Sequence, residues 1–446
     1  MRKIAAVVVA TGMLAACGGA TGDDGKAGSG GPGGSLPSAQ KSLVKAPEGF
    51  DTSKGWQQAV SWVSEDAESM PVGAAPEAGV VAFLQKRGED YVVEARDAAT
   101  GAPRWSSKAW RPPVLPDNVA PDEAYLPRLL VVNEGDREYV AVWAYTPHFT
   151  DKDTVSLVLY PADSSGEGIA PAHARSLPID AYGPAKVVDG GSGLLVSWED
   201  KGTSYAAAVD PTKDHVQTYD ESLELPVCQE EVACIGGSVD GLSPDGPVIG
   251  LDPGGFGVPG IWQSFDAVPP GASATKSGRW GNGVVRHILD DHVLSEWEAD
   301  RDPARPEETT VAAAHDLKTG KLKASVRCDT EDGDGVSFQP MVSPNGRYAV
   351  AGTVAMDLEQ GKAYCLQDNG EQESVRLMSV GDDGIAYGLQ RASSQRVPVA
   401  VTLGTGKVEP LPKGTHIPSL SLPRAAGFSL PSPDGNGLLF TFHPRR

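Results

Sequence analysis

The sequence predicts an all-β fold, a β-propeller of four-stranded antiparallel blades, on three observations. No segment beyond residue 56 repeats its apolar residues with a helical period; short apolar runs alternate instead with Gly, Pro, Asp and Asn. Two kinds of hairpin recur along the chain. Their spacing of roughly fifty residues fits a four-stranded blade, where stacking neighbours bury what one unit alone leaves exposed. Eight blades are expected, with seven, one of them carrying a decorated hairpin, as the alternative count.

In chain order, the first element is MRKIAAVVVATGMLAACGG. Arg2 and Lys3 precede an apolar stretch too short to span a bilayer, the pattern of a secretory signal over residues 1–16. Leu14-Ala15-Ala16-Cys17 resembles the lipobox of bacterial lipoproteins. The resemblance implies cleavage before Cys17, acylation of its sulfur and a tether to the outer face of the cell membrane, since two or more acyl chains hold a protein stably. An ordinary secretory signal is the alternative. Residues 18–40 are dominated by Gly, Ser and Pro and cannot bury enough apolar surface to fold. A Gly-rich chain of that length has a reach of roughly 25 Å, and residues 17–55 are expected to form a lipidated, flexible tether. The propeller is assigned to 56–446.

The first hairpin of each unit is clearest in GLSPDGPVIGL (241–251), MVSPNGRYAVAG (341–352) and SLPSPDGNGLLFTF (429–442), where Pro, then Asp or Asn, then Gly marks the turn. Weaker versions at 72–84, 129–143, 186–198, 286–297 and 377–389 bring the number to eight. Trp143, Trp198 and Trp297 fall near the end of its second strand. The second hairpin is typified by YVVEARDAATGAPRW, in which Asp97 opens the turn, Gly101 closes it and Trp105 lies on the return strand. Further copies are AAAVDPTKD with Asp210, WQSFDAVPPG with Asp266, AAAHDLKTGK with Asp316 and Gly320, AMDLEQGK with Asp357 and Gly361, and VAVTLGTGK with Gly406, alongside a looser LVLYPADSSGE (157–167). A short carboxylate accepts the turn N–H groups, and glycine supplies positive φ where the chain turns back. With eight first hairpins and seven second ones, the last blade is expected to take its first hairpin from 428–442 and an N-terminal strand, Gln58–Ser64. Such closure removes open sheet edges.

The stretch ARDAATGAPRW resembles the A-x-D-x-x-T-G-x-x-x-W repeat of pyrroloquinoline-quinone-type (WD40/YVTN-like) β-propellers. That superfamily contains quinone-dependent dehydrogenases and non-catalytic envelope scaffolds. In both, the resemblance implies that the turn closes a hairpin and the Trp packs between blades. Family quinoproteins commonly carry adjacent cysteines, and no two are adjacent here.

With Cys17 acylated, Cys228, Cys234, Cys328 and Cys365 remain, which permits three pairings. Cys228–Cys234 together with Cys328–Cys365 is the expected set; zinc ligation, the alternative, lacks CxxC spacing and a histidine pair. The 59 acidic against 38 basic residues disfavour a nucleic-acid partner. Neither a GxSxG elbow nor an HExxH helix occurs. DTEDGDG (329–335) lacks EF-hand spacing, HILDDH (287–292) reads as a hairpin with its histidines on opposite strands, and 298–310 reads as a projecting loop. No catalytic set, metal site or cofactor is expected. The function expected is a binding, scaffold or sensing module at the cell envelope, with an envelope protein or small ligand as partner. The alternatives are a quinone- or calcium-dependent oxidoreductase, and a hydrolase or lyase on envelope sugars or peptides.

Overall fold

A computed structural model describes residues 44–446, apart from short segments of which 226–236, 274–282, 301–309 and 329–339 are the longest. Among the described residues eight antiparallel blades form, each built outward from the first strand. Blade 1 comprises Val72–Ala75, Val80–Arg87, Asp90–Asp97 and Pro103–Ser107. Blades 2 to 7 follow at 128–179, 186–219, 237–263, 284–327, 341–365 and 375–410. Blade 8 takes Leu420–Leu422, Ala425–Pro431 and Leu438–Pro444 from the C-terminus and its outermost strand, Trp56–Val60, from the N-terminus.

The second strand of blade 1 shows why these short apolar runs fold this way. Val80, Ala82 and Leu84 face blade 2, while Val81 and Phe83 face blade 8. A strand buried on both faces needs a continuous apolar run. Each of the eight interfaces between neighbouring blades holds an apolar cluster, and a ninth, smaller one gathers Leu225, Ile249 and Leu251 beside blade 4. The ring closes where Trp56 stacks on Phe442, ring centroids 4.1 Å apart.

Five expectations are corrected. The closing strand is Trp56–Val60, paired from Trp56 with Phe442 to Val60 with Leu438, and not 58–64. It completes a blade in which 428–442 supplies the middle pair of strands, because Leu420–Leu422 lies further in. The folded body also starts before residue 56. Val44 and Phe50 are buried in the interface of blades 7 and 8, and the Asp51 N–H donates to the Pro444 carbonyl at 2.9 Å.

The copy containing Asp266 is not a hairpin. The outer strand Trp262–Gln263 runs into a 3-10 turn, Ser264–Asp266, and the Pro269-Pro270 pair beyond it lacks the N–H groups of a return strand. The looser copy at 157–167 fails for another reason. After Asp153–Pro161 the chain crosses to blade 1, where Gly166–Ile169 pairs in parallel with Pro103–Ser107, then returns as the outer strand His173–Ile179. The signal segment, Cys17 and the Cys228–Cys234 pair lie outside the described residues.

Candidate functional site

The second-hairpin turns are built alike. Asp97 Oδ1 accepts from the Thr100 N–H at 2.9 Å and its hydroxyl at 2.8 Å. Asp316 does the same with Thr319, at 2.9 and 2.7 Å. Asp210 accepts from the N–H and hydroxyl of Thr212, and Asp357 from the Gln360 N–H while paired with Arg347. Burial opposes ionisation of Asp210, but Thr212 and Lys213 outweigh it and pull the carboxyl down to about 2.

Gly101, Gly320, Gly361 and Gly406 all have φ near +70°. At three of them an aromatic ring adds a second constraint, the third being Gly406, where a Cβ would lie 2.9 Å from the Tyr364 ring. A Cβ on Gly101 would lie 2.4 Å from the Trp56 ring, and one on Gly320 would lie 2.6 Å from the Trp262 ring. Each tryptophan stands on the outer strand of the preceding blade and donates its indole N–H just past the turn Asp: Trp56 to the Ala98 carbonyl, Trp262 to Leu317, both at 3.1 Å. Trp105 reaches the Ala162 carbonyl of blade 2 at 2.9 Å. The motif is a latch between blades, and its atoms face packing partners rather than a ligand. Trp56 and Trp262 went unrecognised in the sequence because neither sits at the repeat's spacing from an Asp–Gly turn of its own blade.

Blades 2 to 5 converge near the propeller axis at the ends of their first strands. The Asn133 side chain of blade 2 donates to Asp290 Oδ1 of blade 5 at 3.0 Å, past the two blades between them. The blade 3 turn DGGSG (189–193) fills the space: the Gly193 N–H donates to the Asn133 carbonyl at 2.9 Å, and the Leu242 N–H of blade 4 to the Gly190 carbonyl at 2.7 Å. A Cβ on Gly191 would meet the side chains of Ile288 and Leu317 of blade 5, each at 2.7 Å. Backbone packs here at a separation only glycine allows.

Burial, with the Asp290 charge adding to it, raises the Asp189 carboxyl to about 7 although it accepts from the Gly191 N–H. Burial and Asp291 also raise Asp290. HILDDH forms the expected hairpin, Leu289 opposite His292, with Asp290 at φ +46°. Burial lowers both of its histidines, His287 to about 4. Among the described residues no group of three or more His, Cys, Asp and Glu side chains is placed to hold a metal ion. DTEDGDG and most of 298–310 lie outside them.

A prediction follows from Asp189. A carboxyl whose folded pKa is raised binds more protons folded than unfolded, so its contribution favours the folded state below about pH 4 and is lost as pH rises towards 7. Asp189→Asn, which keeps an oxygen for the Gly191 N–H, is expected to be more stable than the parent at pH 8 by about 1–3 kcal/mol. The gain should vanish near pH 4. Urea unfolding at both pH values checks it, and a pH-independent difference would contradict it.

Two surface clefts of about 490 Å³ each lie away from the axis. One runs between the outer strands of blades 1 and 2, where Lys108, Arg111 and Arg175 surround Trp110 and Tyr160. Arg111 is already paired, with Asp90 at 2.6 Å and Glu89 at 3.1 Å. The other lies at the rim of blade 3 around Trp198, Tyr205 and Tyr219. Sequence reasoning noted Trp198 only as a strand marker. The spacing that places Tyr205 directly opposite it across the Lys201-Gly202 turn was the available signal.

No protein-family profile matches the chain, and no curated protein matches it in sequence. Solved structures do align with it. An uncharacterized protein, lmo1340, from Listeria monocytogenes EGD-e aligns over 80% of this chain and 87% of its own at 8% identity, with a TM-score of 0.33. A protein from Lactobacillus plantarum aligns over 77% and 95% at 10% identity, TM-score 0.31. The tricorn protease aligns over 82% of this chain but 44% of its own, at 12% identity and a TM-score of 0.25.

Proposed function

We propose that this protein is an exported, lipid-anchored propeller that presents a rigid binding surface at the cell envelope and carries out no chemistry of its own. The observation that carries the reading is the use to which the convergent polar groups are put. On the side where blades 2 to 5 meet, the axial position is filled by the backbone of 189–193, and Asn133, Asp189 and Asp290 bond to the protein itself. A quinone- or calcium-dependent oxidoreductase needs that kind of place open and lined by carboxylates; a hydrolase needs paired carboxylates facing a cleft. The two clefts of about 490 Å³ instead lie on the rim, where loops and outer strands vary without disturbing the ring.

Export is supported by the apolar segment ending at Cys17 and by the Cys328–Cys365 disulfide, since such bonds persist in oxidising compartments. The test is a cross-linked pull-down of the native protein from its own membranes, beside a Cys17→Ala variant. Membrane release of the variant, and one envelope protein captured repeatedly by the parent, are the expected results. Retention of the variant in the membrane would overturn the anchor. A purified protein that carries bound quinone or calcium would overturn the non-catalytic reading.

A further inference from the structure

We infer that the blade 3 cleft is a binding site for a neutral carbohydrate chain. The inference deepens the binding reading but takes its support from the cleft alone, independently of the lipid anchor and of any protein partner.

The cleft is made where the second strand of blade 3, Leu194–Asp200, turns into the third, Thr203–Asp210. Trp198 and Tyr205 stand directly opposite each other across these strands. Their rings lie within 15° of parallel, centroids 5.8 Å apart, and both are half-buried. Tyr219, at the end of the outer strand, borders the cleft from the other face of the sheet, where it packs toward blade 4. Next to this pair stands Tyr182, 89% exposed and the most exposed large hydrophobic side chain among the described residues. Its N–H donates to the Glu199 carbonyl at 2.7 Å, which fixes it one residue along from Trp198. An interface residue placed like this between blades would be buried; here aromatic surface is held in water by a well-paired backbone.

The polar lining decides the ligand class. The Thr218 hydroxyl, on the same face of the sheet as Tyr205, is exposed and makes no side-chain hydrogen bond within the described residues. Asp220 Oδ1 accepts from the N–H and hydroxyl of Ser222, which leaves Oδ2 to accept from a ligand hydroxyl. A hydroxyl that donates and accepts and a carboxylate oxygen that accepts, set beside aromatic rings, match the hydroxyls and the C–H faces of a pyranose ring. A phosphate or carboxylate ligand would find no cation lining the cleft. A quaternary ammonium ligand would want rings arranged as walls around it, whereas the nearest pair of rings is close to parallel. The volume, 490 Å³, lies within the range of small-ligand clefts, about 300–1,000 Å³.

The test is calorimetric titration of the full chain with the tetrasaccharides of N-acetylglucosamine, glucose and xylose, with choline as the cationic comparison. Saturable binding of at least one tetrasaccharide is expected. Trp198→Ala and, separately, Thr218→Ala should each weaken it by about tenfold. Thr218 is exposed on an outer strand, so its variant should unfold at the parental temperature and remain informative if Trp198→Ala fails to fold. Absence of binding to all three sugars by the folded protein, binding unchanged by Thr218→Ala, or a preference for choline would each overturn the inference. None of these results would bear on capture of an envelope protein, which depends on a different experiment.

Discussion

Trp105→Ala is expected to lower the unfolding free energy by about 3–5 kcal/mol, measured as a shift in the urea midpoint at constant slope. The ring is 3% exposed and packs in the interface of blades 1 and 2 against Tyr160, centroids 5.9 Å apart. Truncation opens a cavity where neighbouring sheets meet, and neither sheet can close over it without shifting its own four-strand ladder. It also strips the Ala162 carbonyl of its donor, a smaller loss of about 1 kcal/mol. Trp105→Phe separates the two contributions: most of the packing stays and the hydrogen bond goes, so a loss of about 1–2 kcal/mol is expected. If Trp105→Ala unfolds at the parental midpoint, the latch between blades is not what holds this interface.

The architecture was legible because its signals are local. In blades 1 to 7 the first hairpin occupies one continuous stretch, and the turns at Asp97, Asp210, Asp316 and Asp357 fold as their own sequences specify. Errors arose where a neighbour decides. Gly166–Ile169 has nothing in its four residues to announce that it will pair with blade 1. Trp56 looked like the edge of a tether, yet its place is set by Phe442, from the far end of the chain, and by Gly101 of blade 1. The axial contacts were beyond reach for the same reason. Asn133 and Asp290 are 157 residues apart, and a ring brings one residue from each blade to its centre with no period in the chain to mark which. The rim cleft was partly legible, since Trp198 and Tyr205 lie on one hairpin; Thr218 enters only once the outer strand has paired.

Cys328→Ala combined with Cys365→Ala is expected to cost about 4 kcal/mol, from the loss of a cross-link spanning 37 residues. The location of the bond says why this interface carries one. Elsewhere an aromatic ring from the outer strand of one blade sits on the turn glycine of the next: Trp56 on Gly101, Trp262 on Gly320, Tyr364 on Gly406. At Gly361 of blade 6 a Cβ would meet, among the described residues, the Lys323 carbonyl oxygen of blade 5 at 3.0 Å and no aromatic ring. Blade 6 is also slight, its first strand being only Met341–Val342 and its other three four residues each. The disulfide takes over there, joining the fully buried Cys328, just past the outer strand of blade 5, to Cys365 at the end of the outer strand of blade 6. Reductant should therefore lower the parental urea midpoint to that of the equally reduced double variant, and move the variant itself far less, since the one bond expected to remain there, Cys228–Cys234, closes only a short loop. A parental midpoint indifferent to reductant would mean that the apolar cluster around Leu294, Val354 and Met356 holds blades 5 and 6 together unaided, and that this interface needs neither a ring nor a covalent bond.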